Sequence, residues 1–135
     1  MALPLRLMLL FSLLLPIPAL AADPQPPSPS TSYFELEPDI ITNYLSSARR
    51  MGYVRVTVQL RVRDAKGLTQ VEHHAPLIRD AIVNILGSKE AQEIKSLTGR
   101  EEIRLACLRQ VKDLMTEETG EPVVEDVIFT KYLYY

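Results

Sequence analysis

One cysteine in 135 residues removes an internal disulfide from the ways this chain can hold itself together. Cys107 lies inside "EEIRLACLRQVKDLM", a run of helical period. A buried small apolar residue is the default reading there, and a reactive or intermolecular thiol is the alternative. Glycine is also scarce: there are 5, none paired at motif spacing, so no phosphate-cradling loop or nucleotide site is expected. Basic blocks are missing and the formal net charge is −2, which argues against a nucleic-acid binder that works through a basic surface.

Catalytic groupings are missing as well. His73 and His74 are adjacent, so on a helix they project about 100° apart and do not chelate one ion as an i, i+4 pair does. A site built from one of them with Glu72 or Asp80 would lack a third ligand at recognisable spacing. None of Ser46, Ser47, Ser88 or Ser96 sits in a strand-to-helix nucleophile turn with a His and Asp to match. The residues therefore predict no catalytic centre, no metal and no cofactor.

What is present begins with "MALPLRLMLLFSLLLPIPALAADP". A single early cation, Arg6, precedes an apolar run from Leu7 to Leu15; Pro16 and Pro18 break it, and small Ala19 and Ala21 follow. The run is well short of the ~20 residues that span a membrane, so residues 1–21 read as a secretory signal peptide cleaved after Ala21. A short uncleaved anchor is the competing reading, because Ala19 to Ala22 lengthen the apolar span. Cleavage would remove Arg6 and leave a more acidic chain. Residues 22–32, "ADPQPPSPSTS", read as an extended Pro/Ser-rich linker.

From residue 33 to 135 the pattern is that of one domain, long enough to bury a core without disulfides or metals. "YFELEPDIITNYL" predicts two short extended pieces broken at Pro38. "SSARRMG" predicts a turn ending at Gly52. "YVRVTVQLRVR" then alternates strictly: Val54, Val56, Val58, Leu60 and Val62 face a core, and Tyr53, Arg55, Thr57, Gln59, Arg61 and Arg63 face away from it. Two readings of Arg55, Arg61 and Arg63 stand, a solvated face and a docking surface for an acidic partner.

"DAKG" predicts the close of that strand, with a helix capped at Thr69. Pro76 makes it either one bent helix or a lead-in followed by a helix over "PLIRDAIVNIL" that ends at Gly87. Leu77, Ile78, Ala81, Ile82, Ile85 and Leu86 give it one apolar stripe. "SKEAQEIKSL" is a polar connector, and Thr98 with Glu101 and Glu102 starts a second long helix. Its stripe is Ile103, Ala106, Cys107, Val111, Leu114 and Met115, and Gly120 and Pro122 stop it. "VVEDVIFTKYLYY" predicts a final strand. Strand, strand, helix, helix, strand defines an α+β domain: a small, mostly antiparallel sheet with two main helices packed on one face.

Five stretches in order, "FELEPDIITNYL", "YVRVTVQLRV", "PLIRDAIVNILGSK", "LTGREEIRLACLRQVKDLM" and "VEDVIFTKYLYY", resemble the periplasmic domain of the flagellar basal body-associated protein FliL family. The most specific pieces are Arg79-Asp80-Ala81 with Ser88-Lys89, and Asp126 to Thr130. The resemblance implies a stomatin-like fold and a non-enzymatic motor component that binds flagellar stator subunits and assembles with itself as a ring. It implies a place in the periplasm at the basal body, close to the inner membrane, with no nucleic acid and no small-molecule substrate. The usual member opens with a charged cytoplasmic stretch and a full transmembrane helix, whereas this chain opens with the short apolar run.

A domain of that kind acts through surfaces. The candidate interaction residues are Arg55, Arg61, Arg63, Arg79, Asp80, Phe129, Thr130, Tyr132 and Tyr134, with Tyr53 and Tyr135 as further aromatic anchors. A ring needs two unlike contact surfaces, and the sheet edge at Tyr132 to Tyr135 and the outer face of residues 53–63 are the candidates. The alternative function is a free periplasmic binding or adaptor protein unrelated to motility.

Overall fold

The computed structural model describes residues 30–47 and 51–135. The signal-like segment 1–21, most of the 22–32 linker and part of the turn before Gly52 lie outside the described residues. The element order is β1 (Ser32–Glu35), β2 (Ile40–Tyr44), β3 (Gly52–Val62), α1 (Ala65–Gly87), α2 (Ala91–Lys95), α3 (Leu97–Thr119) and β4 (Val124–Tyr134).

β3 is the centre of an antiparallel sheet. β1 pairs with its far half, from Ser32 opposite Val62 to Glu35 opposite Gln59. β2 pairs with its near half, from Ile40 opposite Val56 to Tyr44 opposite Gly52. β4 runs along the other edge, from Val124 opposite Val62 to Tyr134 opposite Val54. The apolar alternation read in the sequence is the inner face: Val54, Val56, Val58, Leu60 and Val62 are all fully buried. Residues directly opposite across a ladder share a face, so Val124, Val127, Phe129, Tyr132 and Tyr134 stand on that same side.

α1 and α3 cover this inner face, as the pattern predicted. Val71, Ile78, Ile82 and Leu86 of α1 are buried, and so are Ile103, Cys107, Val111 and Met115 of α3. The rest of the predicted stripes lies at their margins. Ile85 and Leu114 are partly buried against the core, while Leu77 is 45% exposed because it falls one position off the contact line.

Helix starts differ from the sequence expectation. α1 is capped by Asp64, whose Oδ1 accepts from the Gly67 N–H at 2.7 Å, rather than by Thr69. The "DAKG" that read as the close of the strand supplies the cap and the first turn of the helix. Gly67 is there for contact: a Cβ on it would stand 2.6 Å from Val123 Cγ1 and 2.9 Å from Val62 Cγ1. α3 starts two residues early for a similar reason. Ser96 caps it by accepting from Gly99 N–H at 3.0 Å, and Gly99 lies where a Cβ would run into the Glu93 backbone of α2.

α1 passes through Pro76 as a single helix of 23 residues. Proline lacks the N–H that would bond the carbonyl of Glu72, and both residues are exposed, so water can take that carbonyl. The helix includes Gly87 and ends at Ser88. α3 does stop at Gly120, whose φ of 84° is the left-handed cap that favours glycine.

Candidate functional site

Among the described residues no layer covers the sheet face opposite the helices. Its side chains are set by the same pairing: Ile41, Arg55 and Leu133 form one row, and Asn43 and Tyr53 lie in the next. Tyr135 continues that second row. Its N–H donates to the Tyr53 carbonyl at 2.9 Å, and the two rings stack 4.8 Å apart. Ile41, Leu133 and Tyr135 are 60%, 42% and 61% exposed, so this end of the face is an apolar and aromatic surface.

The arginines on this face are already engaged. Arg55 Nε donates to Asp39 Oδ2 at 2.7 Å, and the same carboxylate accepts from Thr57 Oγ1 at 2.7 Å. Those two hydrogen bonds, Thr57 first, hold the Asp39 carboxyl below the usual range. Arg61 Nε comes within 3.4 Å of Glu125 Oε2, an ion pair without the alignment of a hydrogen bond. Arg63, one residue past β3, donates to Glu121 Oε2 at 2.7 Å. Each arginine thus has a carboxylate of its own chain beside it, and an acidic partner would have to compete for it.

The other predicted residues fall elsewhere. Arg79 donates to the Pro38 carbonyl at 2.6 Å and ties α1 to the β1–β2 connection. Asp80 is exposed on α1 and accepts from Asn84 Nδ2 at 3.3 Å. Phe129 is 8% exposed and belongs to the core, so substituting it tests packing. Thr130 is the extra residue of a β-bulge, because Thr57 pairs with Lys131 and Val58 with Phe129. Tyr132 lies under α2 and donates to the Ile94 carbonyl at 2.8 Å; burial pushes its phenol up to about 12. Tyr134 is half exposed at the end of β4 with Lys95 6.0 Å above its ring.

The nine candidates therefore do not make one patch. Arg55 and Arg61 share the uncovered face, Arg79 and Asp80 sit on α1, and Phe129 to Tyr134 follow the β4 edge. Ile41 and Leu133 were missed because each is flanked by residues of the inner face, Ile40 for the one and Tyr132 and Tyr134 for the other, and only the register sets them in the row beside Tyr53. Arg104 was missed too. It forms ion pairs with Glu101 at 2.6 Å and Asp126 at 2.7 Å and donates to the Val127 carbonyl at 3.0 Å. Its Glu101 bond, together with those to Asp126, raises the guanidinium further above its usual range.

Other chemistry is sparse. The His73 and His74 rings meet edge-on at 4.8 Å, and among the described residues no three of His, Cys, Asp and Glu converge as a metal site. Burial pushes the Cys107 thiol up to about 12. Among the described residues no helix is long and apolar enough to cross a membrane.

The geometry defines a small α+β domain whose distinctive parts are surfaces: a bare sheet face and strand edges. Residues 33–134 match the family model described as flagellar basal body-associated protein FliL, and the chain belongs to that family. It is similar to a flagellar protein FliL of Aquifex aeolicus (strain VF5), 32% identical over 100 residues, which cover 74% of this chain and 59% of the relative. The chain thus spans less than two thirds of that relative's length. Family membership associates it with the flagellar basal body.

Proposed function

We propose that this protein is a non-enzymatic accessory of the flagellar motor that stands beside the stator units on the periplasmic side and supports torque as one subunit of a ring. The observation that carries the reading is the family match over residues 33–134, which takes in the three described helices and all of the described sheet but Ser32. The structure adds a means: a bare sheet face with Ile41, Leu133 and Tyr135 exposed, suited to contact with other proteins. No cofactor or small-molecule substrate enters this function.

The test is a fluorescent fusion of the full chain in swimming cells, together with a deletion strain. Foci at flagellar bases and a swimming defect that grows with medium viscosity are the expected outcome. Diffuse periplasmic signal with unchanged swimming would overturn it and favour the free adaptor.

A further inference from the structure

The self-association proposed above needs a contact, and the two edges of the sheet supply one. The exchange of both hydrogen bonds between Tyr53 and Tyr135 fixes the parity of β4. Antiparallel alternation then turns the backbone groups of Leu133 toward β3 and those of Tyr132 and Tyr134 outward. Further down, Val127 is also turned outward, but it is occupied: its N–H is held by Asp126 Oδ1 at 2.9 Å and its carbonyl by Arg104 at 3.0 Å. Among the described residues nothing takes the outward groups of Tyr132 and Tyr134.

The opposite edge has the same design. Leu45 is occupied, since its N–H donates to the Lys89 carbonyl and its carbonyl accepts from Ala91 N–H, at 2.9 and 3.0 Å. The Leu36 N–H to Val58 carbonyl bond turns the even-numbered residues of β3 toward β1, so Phe34 bonds Leu60, and Tyr33 and Glu35 face outward. By the same parity the Ile41 groups and the Asn43 N–H of β2 also face outward, so among the described residues three short open stretches remain, Tyr33–Glu35, Ile41–Asn43 and Tyr132–Tyr134, and of the two on this edge only the first has carboxylates beside it that form no ion pair.

The geometry points to a head-to-tail seam in which the open stretch of β4 in one copy pairs in parallel with the open stretch of β1 in the next. Both strands run antiparallel to β3, so a copy shifted sideways presents its β1 parallel to β4. In a parallel ladder a residue bonds the two neighbours of the residue opposite it. Tyr132 opposite Phe34 would therefore bond Tyr33 and Glu35, and both copies keep their helices on one side. Phe34 is level with Leu60 and Tyr132 with Val56, so each copy steps along the strands by about 13 Å at ~3.3 Å per residue. That stagger inclines the strands to the axis of a closed assembly, as shear does in a barrel.

Charge selects this pairing over β4 against β4. Arg100 lies 5.2 Å from the Tyr132 ring and Lys95 6.0 Å from the Tyr134 ring, both on the helix side, and Lys131 is on the bare face. Just past β1, Glu37 borders the groove with α1 on the helix side, and Glu35, the last residue of β1, lies on the bare face. Among the described residues none of these five forms an ion pair. β4 to β1 sets Glu37 toward Lys95 and Arg100, and Glu35 toward Lys131. A two-fold β4 contact would set cations against cations.

The seam rests on the proposal that the protein self-associates, and sedimentation of the full chain over a concentration series separates the two. Glu35→Lys with Glu37→Lys and, separately, Arg100→Glu with Lys131→Glu should each weaken association about tenfold or more, and mixing the two variants should restore it. Tyr134→Pro removes an outward N–H and a half-exposed ring but no bond to β3, so it should abolish association while leaving the thermal midpoint nearly unchanged. Wild-type association that survives the Glu35/Glu37 change and Tyr134→Pro would overturn the seam and leave self-association standing. Association lost with Tyr134→Pro but not with the Glu35/Glu37 change would replace it by a β4 to β4 contact. A wild-type chain that stays monomeric throughout would overturn both.

Discussion

The Tyr44 hydroxyl donates to the backbone oxygen of Tyr135 at 2.8 Å, joining residues 91 positions apart. Tyr44 is on β2 and pairs with Gly52, and its ring covers the space where a Cβ of Gly52 would stand. The side chain therefore crosses β3 from one edge of the sheet to the other. Gly52, which reads as turn punctuation, is what permits the crossing. Tyr44→Phe should cost about 1 kcal/mol through the lost hydrogen bond, and Tyr44→Ala about 3–5 kcal/mol through the emptied space. Urea denaturation measures both, and equal costs would contradict the crossing.

Two glycines should respond to alanine with opposite signs. Gly99→Ala would drive a Cβ into the Glu93 backbone, and the misfit should cost about 1–3 kcal/mol. Gly87 has room, with Asn43 O at 3.7 Å as the nearest atom, and it is the last residue of α1. Gly87→Ala should be neutral or stabilise by up to about 1 kcal/mol. Thermal midpoints of the two variants decide this.

Cys107 is fully buried, and its thiol is raised from 9.0 to about 12. A thiol reagent at neutral pH should label it only as fast as the protein opens, and fully in denaturant. The sign for stability follows. The unfolded thiol ionises as pH passes its ordinary value while the folded one resists, so its contribution is complete below about pH 9 and falls between there and about pH 12. Rapid native labelling would place the side chain at the surface instead.

Asp39 acts at the other end of the pH scale. Its folded carboxyl is lowered by Thr57 and Arg55, so its contribution is present above the unfolded value near 3.8 and is lost as pH falls through the lower folded one. Asp39→Asn should flatten the acid limb of stability against pH in urea titrations below about pH 4. An unchanged acid limb would mean that the Arg55–Asp39–Thr57 cluster does not persist in solution.

The sequence made the inner face of β3 legible because period two is unambiguous over eleven residues, and the α3 stripe legible because Ile103, Cys107, Val111 and Met115 recur every four. The helix starts were not. Gly67 and Gly99 resemble turn residues, and only the folded chain reveals the Val123 and Glu93 atoms that require them. The surface was the least legible part. That Arg55 belongs to Asp39, or that Arg104 holds the outer edge at Val127, depends on register and on contacts between 16 and 23 residues apart, which composition does not encode. The family resemblance, carried by five short stretches, did reach the family, which the side chains alone left open.

The most direct measurement counts fluorescently labelled stator units at single motors, in cells with and without this gene, at low and high viscous load. Loss of stator units at high load in the cells lacking the gene, restored by the wild-type chain, is the predicted result. Equal counts and equal swimming at every load would contradict a role in supporting the stators and would leave the fold without that function.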